Sequence, residues 1–253
     1  MTAVAVELAD VGVRLGSVTA LEQVSLTFDE GTRVGIVGPN GAGKTTLANV
    51  ICGYHHPTAG RISIYGTDVT RAAPARIAKL GVGRSLQSVG RIGGISAVEF
   101  LSLGLETRWP VSLVHTLLGT RAARRAERWA RGAATELLDE MGLGRYGPVA
   151  LEHCPYGVRK YVDVLRTLVG HARLVILDEP TSGLSTHERS ELHELLDRFT
   201  RASPTTLLLI DHDVGFARSL CPTSVALDAG KVISAGATAD VLADPKVIRC
   251  FTG

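Results

Sequence analysis

This sequence lacks the features that mark membrane-spanning, secreted and disulfide-linked chains. No apolar stretch approaches the roughly 18 residues that a membrane-spanning helix needs. Residues 1–7 contain no basic run followed by an apolar segment, so they predict an edge strand and not a signal peptide. The four cysteines are scattered without a C-x-x-C pair, which argues against a zinc site and for reduced thiols. We therefore expect a cytoplasmic protein that reaches a membrane only through a partner.

An excess of charge of either sign is also missing. The formal net charge is +2, which gives no reason to expect nucleic-acid binding. With 45% apolar and 21% charged residues over 253 positions, the composition is that of a soluble protein with one large domain and a sizeable core. These bounds exclude classes of protein without indicating a reaction.

A phosphate-binding loop is the most specific motif that is present. Residues Gly38–Thr45 match the pattern G-x-x-x-x-G-K-[ST], directly after an apolar run at 34–37. A strand, this loop and a helix that begins near Lys44 would direct several N–H groups at one point, where the β- and γ-phosphates of a nucleotide can lie. We expect Lys44 to reach those phosphates and the Thr45 hydroxyl to ligate Mg²⁺. The predicted nucleotide-binding residues of this segment are Gly38, Pro39, Asn40, Gly41, Ala42, Gly43, Lys44, Thr45 and Thr46.

Two further apolar runs end in side chains that suit phosphate chemistry. Residues 174–178 predict a buried strand that ends in Asp178 and is followed by Glu179. Asp178 is expected to hold Mg²⁺ through water, and Glu179 to orient and deprotonate the attacking water. The second run, 205–210, is followed closely by His212. Taken alone, such a carboxylate pair is structural as often as functional, and a lone histidine after a strand more often lies at the surface.

The order of these motifs resembles that of the ATP-binding subunits of ABC transporters, over nearly the whole chain. In this order Gln87 stands for the family's Q-loop glutamine, Tyr156-Gly157 for part of its signature and His212 for its switch histidine. The resemblance implies that Glu179 is the general base and that His212 bonds the γ-phosphate. It also implies that Gln87 senses metal and water and links to a permease. The Mg²⁺ site that the resemblance and the motifs imply is formed by Thr45, Gln87 and Asp178.

Within that family the sequence is most similar to the ATPase subunits of branched-chain amino-acid importers. The grounds are the longer segment between Gln87 and the signature, the run Pro155-Tyr156-Gly157 with basic residues after it, and the tail at 244–251. The resemblance implies an ATPase that uses ATP and Mg²⁺ to energise uptake of amino acids or related small polar solutes. Its implied partners are transmembrane permease subunits, a second ATP-binding subunit and an extracytoplasmic solute-binding protein. It implies a peripheral position on the inner face of the cell membrane.

Three positions depart from the family pattern. Leu15 stands near the place of an aromatic residue that stacks on adenine, so we expect weaker ATP binding with looser base selection. Pro155 replaces the serine of the signature and offers neither its hydroxyl nor an N–H. Ser185 stands where the family has an aspartate that couples two subunits. Because the resemblance implies a head-to-tail dimer, the site built on this chain's Lys44 is expected to be competent and the opposite site impaired. Harmless drift is the alternative.

The fold expected from these elements is α/β, a P-loop NTPase core with a mainly parallel sheet, an N-terminal antiparallel β flap and an inserted helical subdomain. Strands are predicted at Val4–Val13, Val24–Phe28 and Arg61–Gly66. The single domain, 1–253, divides into a nucleotide-binding core, 1–87 and 162–253, and a helical subdomain, 88–161.

A long amphipathic helix is predicted within that subdomain, at Ala122–Met141. Its buried face is expected to comprise Ala126, Trp129, Ala133, Leu137 and Met141. The opposite face forms an arginine stripe, which is a solvated surface or, less commonly, a contact with acidic lipid or a partner. The stripe consists of Arg121, Arg124, Arg125, Arg128 and Arg131.

Two other functions fit fewer features. One is a soluble ABC-type ATPase in assembly or repair, against which stand the lack of long inserts and of a second ATPase cassette. The other is a nucleotide-binding regulatory subunit that hydrolyses little, which turnover with Glu179 intact and replaced would separate from an ATPase.

Overall fold

The computed structural model describes residues 3–86, 93–106, 120–170 and 172–252. The chain forms two compact units. The first comprises Met1–Arg84, Arg173–Ser182 and Arg189–Gly253, and the second comprises Ser85–Ala172 and Gly183–Glu188. The division into a core and a helical subdomain at residues 87/88 and 161/162 stays a prediction.

Four strands near the N-terminus form an antiparallel sheet in the first unit, in the order β2-β1-β4-β5. They are β1 (Val4–Leu15), β2 (Val18–Asp29), β4 (Ala59–Ile64) and β5 (Thr67–Asp68). The expectation of an edge strand at the N-terminus was wrong, since β1 pairs with β2 on one side and β4 on the other. The same residues of β1, Val6 to Leu8, pair with both strands. Alternation of apolar residues tells which face of a strand is buried, but it does not tell how many strands flank it.

The second sheet of this unit is parallel except at one edge, in the order β10-β9-β3-β8-β7-β6. All residues of β7 and β8 are buried, as expected for strands covered on both faces. Because β3, β8 and β7 are adjacent and parallel, their carboxyl ends lie at the same edge of the sheet. The six strands are β3 (Arg33–Val37), β6 (Val82–Arg84), β7 (Leu174–Asp178), β8 (Thr206–Ile210), β9 (Thr223–Asp228) and β10 (Lys231–Ala237).

The two sheets share one hydrophobic core. Val6 and Ile64 from the antiparallel sheet, Leu47 from the first helix and Leu208 from the parallel sheet belong to the same buried cluster. The α/β class, the antiparallel flap and the mainly parallel sheet are therefore confirmed. Nine α-helices lie in the described part of the chain: α1 (Lys44–Ile51), α2 (Pro74–Lys79), α3 (Ala97–Glu106), α4 (Arg121–Glu140), α5 (Tyr156–Val169), α6 (Thr186–Ala202), α7 (Val214–Leu220), α8 (Thr238–Ala243) and α9 (Pro245–Thr252).

Helices α3, α4 and α5 dominate the second unit, and the buried stripe of α4 agrees with the prediction at Ala126 but differs from it at the other four positions. Its buried residues recur at every fourth position, whereas Trp129 is 38% exposed and Ala133 and Leu137 are only partly covered. Alanines at this spacing let α4 lie close against α3, so packing favours the small residues over the large ring. The arginine stripe is exposed, as predicted. The buried stripe consists of Ala126, Ala130, Ala134 and Leu138.

Over the described residues, no helix combines the length and the apolar character needed to cross a bilayer.

Candidate functional site

The phosphate-binding loop connects β3 to α1 and closes around the Lys44 side chain. The Lys44 ammonium donates hydrogen bonds to the carbonyl oxygens of Gly38 and Pro39, at 2.7 and 2.8 Å. Lys44 is only 6% exposed, so the chain itself fixes the position of this charge. Thr45 and Thr46 follow in the first turn of α1, partly covered. The predicted helix start at Lys44 is confirmed.

Two glycines of the loop are required by close backbone packing. A Cβ at Gly43, where φ is +101°, would lie 2.6 Å from the Ala20 carbonyl oxygen. A Cβ at Gly38 would overlap the Leu227 carbonyl oxygen. No side chain caps the N-terminus of α1, so the N–H groups of its first turn can bond an anion. The loop therefore has the shape and the donors that a phosphate group needs.

Carboxylates at the ends of β7 and β8 lie on the side of the sheet that carries Lys44, because β3, β8 and β7 are adjacent and parallel. Burial lowers the pKa of Lys44, while Glu179, Asp178 and Asp211, in that order of strength, oppose the shift and raise it. A group can act on Lys44 in this way only from nearby. The structure thus brings together the loop after β3 and the acidic residues after β7 and β8, as the sequence predicted for Asp178 and Glu179.

Asp178 is fully buried and pairs with an arginine that the sequence analysis missed. Arg84, the last residue of β6, donates from Nη2 to the Asp178 Oδ2 atom at 2.7 Å. Its Nη1 donates to the Asn49 Oδ1 atom of α1 at 2.6 Å. β6 is only three residues long, so no periodicity marks Arg84 in the sequence. Asp178 is therefore held by a cation from the neighbouring strand.

Glu179 adopts a left-handed backbone conformation with φ of +50°. Its N–H donates to the Ile210 carbonyl oxygen of β8 at 2.7 Å, beyond the last ladder pair of β7. A left-handed non-glycine residue costs on the order of 1–3 kcal/mol and persists only where its surroundings impose it. This conformation turns the chain at Glu179, directly after β7 ends at Asp178, so the two carboxylates need not act on the same atom.

A second buried carboxylate, Asp211, was also missed. Its Oδ2 accepts from the Thr181 N–H and hydroxyl at 3.2 and 2.7 Å, and its Oδ1 accepts from the Asp213 N–H at 2.9 Å. The neighbouring His212 is half-exposed, with Nδ1 3.6 Å from the Asp211 Oδ1 atom. Asp211 therefore ties the turn after β7 to the end of β8, beside the predicted γ-phosphate contact. The available signal was its place as the first residue after an apolar strand.

Leu15 and Gln87 have different outcomes. Leu15 ends β1, opposite Val18 on β2, and both side chains are exposed, at 44% and 62%. They form an aliphatic pair at the end of the hairpin. Gln87 lies outside the described residues, so its role stays a prediction.

The oxygen atoms that the described residues offer to a metal in this site suit Mg²⁺. The Thr45 hydroxyl and the Asp178 carboxylate are hard oxygen ligands, and Mg²⁺ usually combines one or two such ligands with substrate phosphates and water. Among the described residues no group of three or more His, Cys, Asp or Glu side chains forms a metal cluster. The residues thus fit a metal that binds together with a nucleotide.

The signature segment lies in the second unit, at the N-terminus of α5. Pro155 occupies the N-cap position and provides no side-chain hydrogen bond to the helix. A Cβ at Gly157 would overlap the Glu188 carboxylate, so any other residue here would have to displace that side chain. Tyr156 is 44% exposed.

Ser185 has a structural reason of its own. Its hydroxyl donates to the Glu188 Oε2 atom at 2.7 Å and accepts from the Glu188 N–H at 3.3 Å, while its N–H also donates to that Oε2 atom. This reciprocal arrangement is a capping box at the start of α6. An aspartate could accept from the Glu188 N–H but could not donate to the Glu188 carboxylate.

Comparison with known proteins gives a consistent result. The profile of the ABC transporter family matches residues 21–182. The chain is 30% identical to the high-affinity branched-chain amino acid transport ATP-binding protein BraF of Pseudomonas aeruginosa, covering 98% of this chain and 97% of that protein. It is 31% identical to LivG of Salmonella typhimurium, a protein of the same description, over 95% and 94% of the two chains.

Solved structures agree in fold. A nucleotide-free ATP-binding cassette from an ABC transporter superposes with a TM-score of 0.81 at 23% identity, over 99% of both chains. A dimeric cassette in a post-hydrolysis state with ADP and Pi gives a TM-score of 0.77 at 23% identity, over 92% of this chain and 98% of that one. The predicted P-loop NTPase core is confirmed.

Replacing Asp211 should destabilise the edge of the sheet. In Asp211→Asn, an amide NH₂ would face one of the N–H or O–H donors that the carboxylate now accepts from. We expect the free energy of unfolding, measured by urea titration, to fall by about 1–3 kcal/mol. The exposed neighbour provides the control, because His212→Asn should change it by less than about 0.5 kcal/mol. Equal stability of Asp211→Asn and the parent would contradict the assigned hydrogen bonds.

Proposed function

The chain belongs to the ABC transporter family, and from that premise we propose that it hydrolyses ATP to energise uptake of amino acids or related small polar solutes. Hydrolysis of ATP is the family's activity. The single observation that carries the proposal is a phosphate-binding loop closed around a buried Lys44, next to the C-terminal ends of β7 and β8 that carry Asp178, Glu179 and Asp211. The solute class is supported by the relatives described as branched-chain amino acid transport proteins.

We propose that the loop binds the nucleotide through charge and backbone donors. The Lys44 ammonium now donates to the Gly38 and Pro39 carbonyl oxygens, at 2.7 and 2.8 Å. When a nucleotide binds, its phosphate oxygens would replace these two carbonyls as the acceptors. The backbone donors of Gly38–Thr46 would bond the remaining oxygens. The aliphatic pair Leu15 and Val18 would contact one face of the adenine.

The hydrolytic step assigns different work to the two carboxylates. Glu179 would accept a proton from the water that attacks the γ-phosphorus, and the left-handed turn would direct this carboxylate away from Asp178. Thr45, Asp178 and Gln87 would hold Mg²⁺, whose positive charge would stabilise the negative charge on the β- and γ-phosphates. His212 would donate to the γ-phosphate. Asp211 would hold the residue that follows His212, Asp213, and the turn after β7 at Thr181. The attacking water would thus be bound by Glu179, after β7, and the γ-phosphate by His212, after β8.

The chain would act with other subunits on the inner face of the cell membrane. The proposed partners are transmembrane permease subunits, an extracytoplasmic solute-binding protein and a second ATP-binding subunit. Support comes from relatives that are ATP-binding proteins of transport systems and from a cassette of the same fold that is dimeric. The direct test is the set of membrane subunits that co-purify with this chain from detergent-solubilised native membranes. Recovery of the chain with no membrane subunit would favour the soluble ATPase instead.

The two ATP sites of the dimer would be unequal. In the dimer that the family implies, each ATP lies between the phosphate loop of one subunit and the signature of the other. This chain brings an intact set of Lys44, Asp178, Glu179 and His212, but its signature begins with Pro155, which caps α5 without a hydroxyl. We propose a different second subunit whose signature completes this chain's site.

Lys44 and Glu179 should have separable effects. Lys44→Ala should abolish tight ATP binding, because it removes the buried cation from the loop. Glu179→Gln should bind ATP normally and lose at least about a hundredfold in turnover, because general-base catalysis typically contributes that much. Calorimetry measures the first quantity and phosphate release by the assembled complex the second. Parental turnover in Glu179→Gln would exclude this carboxylate as the base and favour the alternatives.

Leu15→Tyr should tighten ATP binding. An aromatic ring recovers stacking that an aliphatic pair lacks, and about 1.4 kcal/mol of stacking would lower Kd up to about tenfold. Val4→Tyr is the matched control, since Val4 is a similarly exposed valine at the other end of β1 and should leave Kd unchanged. Calorimetric titration with ATP and GTP measures affinity and base selection together. An unchanged Kd would mean that adenine lies elsewhere.

Pro155→Ser should accelerate hydrolysis at the opposite site alone. A serine hydroxyl bonded to a charged phosphate contributes about 1.5–3 kcal/mol, which corresponds to roughly ten- to a hundredfold in rate. Pro155→Ala controls for loss of the proline ring and should give no gain. Single-turnover hydrolysis is measured in the reconstituted complex, with either this chain's Glu179 or the partner's catalytic glutamate removed to isolate each site. Equal rates at both sites in the parent complex would refute the asymmetry.

A further inference from the structure

Arg84 links three parts of the nucleotide site. Its Nη2 lies 2.7 Å from the Asp178 Oδ2 atom, its Nη1 lies 2.6 Å from the Asn49 Oδ1 atom, and its guanidinium carbon lies 5.6 Å from the centre of the Tyr54 ring. The Arg84 side chain is only 11% exposed and Asp178 is fully buried. The guanidinium therefore bridges the end of β7 to α1 and the residue that follows its C-terminal turn.

The charge of Asp178 has to be balanced inside the protein. A buried carboxylate without a cation is strongly unfavourable, and removing one partner of a buried pair leaves that cost in full. Arg84 supplies the cation that is bonded directly to Asp178, and Lys44 adds a second charge nearby. Under the function proposed above, Mg²⁺ bound with nucleotide would supply a further cation at the same carboxylate. Two cations that share one buried carboxylate repel each other and compete for its oxygens.

We propose that Arg84 is a positioning residue that occupies Asp178 in the metal-free chain and opposes metal binding there. This inference rests on the proposed role of Asp178 as the metal carboxylate. The Arg84 bond fixes the Asp178 side chain before nucleotide arrives, and loading with Mg²⁺ and nucleotide weakens or breaks that bond. Arg84 thereby sets the metal concentration at which the site is filled.

Asn49 and Tyr54 provide a second location for the displaced guanidinium. The Asn49 amide oxygen already accepts one of its N–H groups, and the exposed Tyr54 ring offers a π face to a cation. Arg84 can therefore leave Asp178 without entering an apolar environment. Because Arg84 ends β6 and Gln87 follows three positions later, metal loading acts directly on the strand that leads to the predicted metal sensor.

A merely structural Arg84 predicts the opposite effect on metal affinity. If the arginine served only to hold Asp178 in place, its removal would loosen the carboxylate and weaken metal binding. If it competes with the metal, its removal strengthens metal binding although the metal-free chain becomes less stable. The sign of the change in metal affinity separates the two roles.

The experiment uses Mn²⁺ as the probe, with saturating ADP, and follows the electron paramagnetic resonance signal of free Mn²⁺. Arg84→Met should lower the Kd for Mn²⁺ about five- to tenfold. Its thermal unfolding midpoint should fall without metal and recover when Mn²⁺ and ADP are added. Arg84→Lys keeps the charge and should restore most of the parental Kd. The matched control is Arg33→Met, which breaks an ion pair with Asp197 in the same unit and should leave the Kd unchanged.

A second variant keeps the test decisive if Arg84→Met does not fold. Asn49→Ala removes the alternative acceptor, commits Arg84 to Asp178 and should raise the Kd for Mn²⁺. An unchanged or raised Kd in Arg84→Met, or a lowered Kd in Asn49→Ala, would overturn the inference. Asp178→Asn distinguishes failure of the inference about Arg84 from failure of the proposed function. If it leaves Mn²⁺ binding intact, Asp178 is not the metal carboxylate and the proposed site itself is wrong.

Discussion

The burial of one ammonium group, that of Lys44, constrains the rest of the nucleotide site. A charge that is almost removed from water needs acceptors and counter-charges within a few ångströms. The carbonyl oxygens of the phosphate loop are the acceptors for Lys44. The counter-charges are the carboxylates that follow β8 and β7, which lie nearby because β3 is next to β8 and β8 is next to β7. Each strand delivers its C-terminal residues to the same edge. The parallel sheet is therefore the means by which residues 44, 178, 179 and 211 meet.

Local motifs made part of this site predictable, and tertiary contacts account for what was missed. The phosphate loop is one continuous segment, and Asp178 and Glu179 are adjacent residues, so the sequence alone indicates what each motif can bind. Arg84 meets Asp178 across 94 positions, and no sequence pattern reports such a contact. The same limit explains the error on α4, where periodicity found a helix but could not tell that a stripe of alanines, and not Trp129, faces its neighbours.

The departures from the family pattern have different physical meanings once their surroundings are known. Ser185, a departure, completes a capping box with Glu188, while Gly157, which keeps the family's glycine, leaves room for the Glu188 carboxylate. These two residues thus meet local needs in the second unit. Pro155 meets none of this kind, since it caps α5 without a side-chain bond. A substitution in a motif is evidence of altered function only where local structure does not already explain the residue.

Glu179 shows how activity and robustness of the fold can oppose each other. Its left-handed backbone is unfavourable for any residue with a side chain but easily adopted by glycine. Replacement of this proposed catalytic carboxylate by glycine would therefore remove strain together with the proposed function. Such a variant would accumulate in the cell as well as the parent protein or better, and would still occupy its place in the proposed complex. For this chain, abundance and correct assembly are poor indicators of working protein.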